Sequence, residues 1–373
     1  MIKRQPRLRR SSKNRIGLST RLERCYRAYR TSNITLEENT CGIGGRWSND
    51  DLSLAVRRQR EVYAPVSNEQ TALAGESLVR AILNENQPRA ASFIVTIYGD
   101  VVEPRGGVIW IGNLIETCAG VGISQTLVRT AVSRLMLAGQ LAGEREGRRS
   151  FYRLTQPART EFAAAARVLF GPPESSSWHF VQLMGPSADQ GMQMLEGSGH
   201  ARLGPRLAVG VRPLPSLPTP AIVFRAEIAG GGGDLRAFAA EHWDLAPHAR
   251  AYMTFLRRFA PLAEFIEMGG RMAAVDCLTA RLLLVHQFRS VALRDPRLPP
   301  DALPADWPAD AARHLFARLY CHLSSRADAH IAKNFTTTTG PLPKTSEFTV
   351  HRLMTLCGSI GAPAPSSAAQ RSL

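Results

Sequence analysis

The chain has 373 residues, 44% hydrophobic and 21% charged, a composition that excludes a low-complexity or fibrous protein and leaves room for two or three domains with cores of their own. Its formal net charge of +15, from 46 Lys and Arg against 31 Asp and Glu, favours an acidic partner such as nucleic acid. No apolar run is long enough for a membrane span, Met1 opens no secretory leader pattern, and the six cysteines lack the paired spacing of a zinc knuckle or a disulfide framework, so the expectation is a cytoplasmic chain in a reducing compartment.

Residues 1–75 are rich in Arg, Ser and Asn without a sustained apolar period; residues 1–62 alone hold 15 basic and 6 acidic side chains, a net +9. This segment is predicted to be a basic, disordered extension, and no function is placed on it. A short helix is expected over Ser77–Asn84. Periodicity leaves Ala91–Tyr98 open between a strand and a buried helix. Val108–Ile111 reads as a short strand and Gly112–Ala119 as a helix.

The stretch Val121–Leu154 carries the most information. After the turn Val121-Gly122-Ile123, Ser124 is placed to cap a helix over Gln125–Ala138, and Gly139 to end it in the left-handed region. Leu127, Val128, Ala131, Leu135 and Ala138 are assigned to a packing face, and Gln125, Thr126, Arg129, Thr130 and Ser133 to a polar one. Leu141–Leu154 then reads as two strands around a Gly147-centred turn. Six arginines against two glutamates lie in this stretch, and the arginines avoid the apolar stripe, as a phosphate-facing surface requires. A capped helix followed by a basic hairpin predicts a winged helix-turn-helix over residues 76–170, with Thr155 capping a last helix to Phe170. In this reading Gln125, Thr126, Arg129, Thr130 and Ser133 enter the major groove, with Arg129 paired to a guanine and Gln125 to an adenine. Arg148, Arg149 and Tyr152 grip phosphate or minor groove. Arg134 stays open between DNA and an internal pair.

Gly171-Pro172-Pro173 and three serines form a linker to a middle domain, residues 178–229, where strand, helix and further strands suggest a ferredoxin-like α/β sandwich. Gly230–Gly233 lacks a following Lys-Ser/Thr, so it reads as a connection and not a phosphate loop. Residues 234–332 form a helical domain with apolar stripes such as Tyr252, Phe255, Phe259 and Leu262. The Thr-, Pro- and Ser-rich tail 333–373 is predicted to be disordered apart from a turn near Phe348–Leu356. The fold class is therefore α+β. No HExxH, CxxC or HxH pattern is present, and neither a metal nor a cofactor is expected.

Several blocks resemble the PaaX-type repressors of phenylacetic acid catabolism. They are Phe93-Ile94-Val95-Thr96-Ile97-Tyr98-Gly99-Asp100, Leu127–Leu135, Gly147–Thr155, Leu293-Arg294-Asp295-Pro296-Arg297-Leu298-Pro299, and Leu303-Pro304-Ala305-Asp306-Trp307-Pro308. The resemblance runs from about Ala91 to Ile331. It implies a GntR-like winged-helix head, a middle domain similar to the Cas2 ferredoxin-like fold, and a helical C-terminal domain. It also implies a homodimer that represses an aromatic catabolic operon as a non-enzymatic regulator and is released by phenylacetyl-CoA. Residues before 75 and after 332 match nothing in that family. The phosphates of an acyl-CoA call for arginines, and Arg281, Arg289 and Arg294 are the candidates in the helical domain. The alternative is a metal-dependent nuclease built on the Cas2-like domain with Asp189 or Asp234 as an acid; no paired carboxylate accompanies them.

Overall fold

A computed structural model of the chain describes residues 68–172, 177–230 and 234–360. The predicted basic extension up to residue 67 lies outside the described residues, but its last part belongs to the first helix, α1 (Asn68–Glu85), which is much longer than the expected Ser77–Asn84. Helix α2 (Ala90–Ile97) decides the ambiguous apolar run. Phe93, Ile94, Thr96 and Ile97 are buried and Ala91, Ser92 and Val95 half-buried, so no exposed polar face marks a helical period in the run. A π-helical turn (Tyr98–Val102) and a short turn at Glu103–Arg105 lead into β1 (Val108–Trp110) and α3 (Ile111–Ala119). Then follow α4 (Gln125–Leu137), β2 (Leu141–Glu146), β3 (Arg149–Leu154) and α5 (Gln156–Phe170). The three strands form an antiparallel sheet in the order β1-β3-β2.

A second sheet holds β4 (Trp178–Leu183), β5 (Ala201–Arg202), β6 (Leu207–Gly210) and β7 (Ala221–Ala226), with α6 (Ala188–Gly197) between β4 and β5. Its order is β5-β6-β4-β7, all antiparallel. A ferredoxin-like sandwich alternates βαββαβ, yet here an irregular segment, residues 211–220, joins the last two strands. The next helix, α7 (Leu235–His242), follows β7 instead of preceding it. Trp178 and Val209 pack on the side of α7, and Val181, Leu183 and Ala208 pack with Met192 and Leu195 of α6.

Helices α8 (Ala246–Glu267), α9 (Ala274–Ala292) and α10 (Ala309–Asn334) complete the helical region. The expected stripe of Tyr252, Phe255, Phe259 and Leu262 is buried. Phe288 stacks on Phe316 at 4.2 Å between centroids. This core is continuous with that of α2–α5: residues from Val79 through Phe93, Val128 and Phe170 to Phe316 and Ile331 form one cluster, so the 76–170 and 234–332 segments share a single interior.

A buried charge network crosses that interior. Asp100, at the end of the α2 segment, accepts from Arg281 Nε at 3.0 Å, Tyr320 Oη at 2.8 Å and Arg352 Nη1 at 3.4 Å. Asp328 accepts from Arg281 Nη1 at 2.6 Å and Arg105 Nη2 at 2.7 Å. Burial alone would lower the Arg281 guanidinium, but Asp100, Tyr320 and Asp328 hold it above its ordinary value. Arg105 is pushed down by burial and by the charge of Arg281.

The tail is the largest departure from expectation. Residues 333–360 are ordered: β8 (Thr336–Thr337) pairs with β9 (Gly340–Pro341), and α11 (Glu347–Ile360) follows. Asn113 acts as a surrogate peptide for this segment, its Nδ2 donating to the Asn334 carbonyl at 2.8 Å and its Oδ1 accepting from Thr336 N at 2.9 Å. Phe335, Leu342 and Leu356 are buried, and Arg352 lies over the Phe170 ring at 3.7 Å. A disulfide joins Cys321 of α10 to Cys357 of α11, against the expectation of unpaired cysteines. No composition rule anticipates it, because the partners lie 36 residues apart with no repeated spacing. No described helix is long and apolar enough to cross a membrane.

Two histidines make the fold acid-sensitive. Burial holds His286, whose Nδ1 lies 2.9 Å from the Thr96 hydroxyl, down to about 4, and His200 likewise to about 4. Between about pH 4 and 6.5 both rings stay neutral in the folded chain and take up a proton on unfolding. The stability they contribute is therefore complete above about pH 6.5 and is lost as pH falls from there towards 4. Thermal unfolding followed across pH 4–8 should show a midpoint that drops on the acid side, less steeply in His286→Gln.

Candidate nucleic-acid interface

Helix α4 is built as its sequence demands at both ends. Ser124 Oγ accepts from Leu127 N at 3.4 Å, and at the other end Gln140 N donates to the Leu135 carbonyl and Gly139 N to that of Met136, each at 2.9 Å, with Gly139 at φ +68°. Gly122, at φ +78°, makes the turn between α3 and α4. Thr155 occupies the position before α5, but its hydroxyl donates to the Gly139 carbonyl at 2.6 Å and ties α5 to the end of α4 instead of capping its own helix.

Val128, Ala131, Val132 and Leu135 are the buried residues of α4. Leu127, assigned to the packing face, is 55% exposed, and Ala138 is exposed as well. Consecutive helical residues lie about 100° apart, so with Val128 and Leu135 at the centre of the buried arc, Val132 falls inside it and Leu127 at its edge. Gln125, Thr126, Arg129, Thr130 and Ser133 are all exposed on one side, as expected. With its amide oxygen turned to Arg129, Gln125 accepts from Nε at 3.2 Å and Nη2 at 3.1 Å, a pair that holds the guanidinium extended over the face. Arg134 is also exposed, with no ion pair among the described residues, which removes the internal alternative.

The hairpin pairs Glu146 with Arg149 across Gly147-Arg148. Gly147 has φ +57° while Arg148 lies outside the left-handed region, the φ pattern of a type II′ turn, and Arg145 Nε donates to the Gly147 carbonyl at 3.2 Å. Arg148 at the tip is exposed. Arg149 stacks over Trp110 at 5.1 Å, which fixes its guanidinium beside the sheet. The Tyr152 ring crosses the place where a side chain at Gly143 would stand, so Tyr152 is half-buried across the strands. Arg153 faces Glu144 at 3.9 Å. The helix thus exposes Arg129 and Arg134, and the hairpin exposes Arg145, Arg148, Arg149 and Arg153, with Glu146 exposed and Glu144 half-buried among them.

Comparison with known proteins bears on this same stretch. The family model described as PaaX-like protein matches residues 89–158, and that of the PaaX-like protein C-terminal domain matches residues 243–333. The chain is 31% identical over 292 residues to the transcriptional repressor PaaX of Escherichia coli (strain K12), covering 72% of this chain and 91% of that protein. The chain belongs to the PaaX family. Among solved structures it is similar to an uncharacterized protein, Rv0674, from Mycobacterium tuberculosis, at 19% identity and TM-score 0.40, covering 64% of this chain and 97% of that one. Membership of the PaaX family makes the chain a transcriptional regulator, not an enzyme. The two segments matched to PaaX are those that the Asp100–Arg281–Asp328 network joins. The Leu293–Pro299 block is a structural turn. Asp295 accepts from Tyr252 Oη at 2.7 Å and from Arg297 N at 2.6 Å, and Arg297 adopts φ +57°.

The three arginines expected to meet an acyl-CoA do not converge. Arg281 is 1% exposed and paired with Asp100 and Asp328, so although its Nη2 has no partner the guanidinium is closed off from an outside phosphate by burial. Arg289 donates to Thr96 Oγ1 at 3.2 Å and to the Ser92 carbonyl at 3.4 Å, docking α2 on α9. Arg294 is exposed in the turn after α9. A cavity of about 470 Å³ between α8, α9 and α10 is lined instead by Arg271, Met272, Cys277, His322 and Arg326, which carry no motif in the sequence. Asp189 lies in the first turn of α6 and Asp234 just before α7, on separate elements.

Proposed function

We propose that residues 76–170 form a winged helix-turn-helix, with α4 as recognition helix and β2-β3 as wing, and that the chain represses a phenylacetate-type catabolic operon as a homodimer released by an aryl-acetyl-CoA thioester. One observation carries the DNA reading: α4 is anchored by Val128, Ala131, Val132 and Leu135 while its opposite side presents Gln125, Thr126, Arg129, Thr130 and Ser133 beside an arginine-bearing hairpin. The middle sheet, with its order β5-β6-β4-β7, supports a Cas2-like relation that lacks one helix. In this reading Arg129 pairs with a guanine, Gln125 turns from Arg129 to an adenine, and Leu127 meets a thymine methyl. Arg134, Arg148 and Arg149 meet phosphate, with Tyr152 shaping the wing.

Arg129→Ala is expected to reduce discrimination between operator and random DNA by about 5- to 150-fold with an unchanged thermal midpoint, since the residue is exposed. Arg148→Ala should weaken both DNAs alike and lower the slope of log K against log salt by about 0.9. Gel shifts over a salt series measure both, and phenylacetyl-CoA added to the wild-type complex tests release. Undiminished discrimination by Arg129→Ala would overturn the recognition-helix assignment.

A further inference from the structure

Helix α11 is fastened to the helical region by a covalent bond and to the DNA-binding segment by a side chain. Near its end Cys357 is bonded to Cys321 of α10. On its inner side Arg352 Nη1 donates to the Asp100 carboxylate at 3.4 Å and Nη2 to the Gly99 carbonyl at 3.3 Å, and the guanidinium covers the Phe170 ring. Ser346, just before α11, donates its hydroxyl to the Pro104 carbonyl. With Arg352 docked, three guanidiniums meet two carboxylates. Without it, Arg105 and Arg281 still balance Asp100 and Asp328 through the shorter contacts of 2.6, 2.7 and 3.0 Å. Withdrawing Arg352 to water therefore strands no buried charge, so this contact can open while the rest of the interior stays whole.

The bond itself is open to exchange. Cys357 is exposed and Cys321 half-buried, whereas Cys118 and Cys277 are buried free thiols. A transcriptional regulator meets its DNA where thiol reductants abound, and accessible disulfides there are transient, sensing bonds. We infer that Cys321–Cys357 is a reversible modification site, opened by a dithiol and read by the DNA-binding segment through Arg352. One thiolate of the dithiol attacks Cys357 Sγ, and Cys321 leaves as a thiolate and takes a proton. The second thiol then attacks the mixed disulfide and releases Cys357. Two electrons and two protons pass to the cystine, and the dithiol departs as a disulfide. A freed α11 no longer holds Gly99, Asp100 and Phe170. The segment then loses its fixed pose and must be ordered on binding, which weakens its hold on the operator. The site stands on the geometry alone, and its effect on DNA rests on the winged-helix reading above.

Two measurements on the full chain test this, each in dithiothreitol buffers graded from oxidised to reduced. Amide hydrogen exchange in α11 and at residues 99–105 should quicken about tenfold on reduction, and gel-shift affinity for the operator duplex should fall about tenfold. Cys321→Ser/Cys357→Ser should behave as the reduced chain in every buffer. Arg352→Gln, with its disulfide intact, should bind DNA weakly even when oxidised and change little on reduction, a pattern that a merely stabilising bond does not produce. Exchange at residues 99–105 indifferent to reductant would overturn the link between the bond and the DNA-binding segment. Faster exchange with unchanged affinity would overturn the control of DNA binding. Absence of operator binding in both forms would overturn the winged-helix reading, and the exchange result would still decide the site.

Discussion

Asp100→Ala is expected to destabilise the protein by about 3–5 kcal/mol, because it leaves charges buried without a partner. Asp100 is fully buried, and it meets Arg281, Tyr320 and Arg352 while Asp328 serves Arg281 and Arg105. Three guanidiniums share two carboxylates, so removal of one carboxylate leaves a single counter-charge for the whole group. Two donors in it, Arg105 Nε and Arg281 Nη2, already lack partners, and nothing nearby can take over. Replacing the ion pair as a unit, Asp100→Leu with Arg281→Met, should cost much less, since two apolar side chains need no compensation. Urea unfolding of the two variants measures the contrast. A loss below about 1 kcal/mol in Asp100→Ala would mean that water reaches the network.

Reduction of the Cys321–Cys357 bond should cost roughly 3–4 kcal/mol, the chain entropy of opening a loop whose ends lie 36 residues apart. The bond closes the return of the chain from α10 through β8 and β9 to α11. It also keeps Arg352 in place over Phe170 and against Asp100. Thermal unfolding with and without a phosphine reductant should separate the wild type, whose midpoint falls, from Cys357→Ser, whose midpoint starts low and stays there. A wild-type midpoint indifferent to reductant would show that the tail is held by Phe335, Leu342 and Asn113 alone.

What could be read from the residues was whatever is written locally. Ser124, Gly139 and Gly147 each act through their own backbone neighbours, so the capped helix and the hairpin lie where the sequence puts them. Leu127 was misplaced because an apolar residue at the edge of a helical stripe is decided by what packs opposite, and Val132 took the inner position. The Ala91–Tyr98 run is ambiguous in sequence because none of its side chains is exposed, which leaves no polar face to mark a period. The tail misled by composition: four threonines and several prolines suggest disorder, yet Asn113, more than two hundred residues away in sequence, supplies the peptide-like partner that orders it. Charge alone points to Arg281 as a phosphate ligand. Its two carboxylates come from segments far away in the chain, and only the folded structure brings them together.

The continuous interior from Val79 to Ile331 bears on how an operator is measured. A reading head on a flexible tether can stretch to accommodate targets set at different distances along the duplex. Here the winged-helix segment shares one interior with the helical region, so the two copies of the homodimer proposed above would act like a caliper with fixed jaws. Under that proposal the distance between half-sites would be recognised as strictly as the bases within them, and an effector would release the DNA by bending the caliper itself.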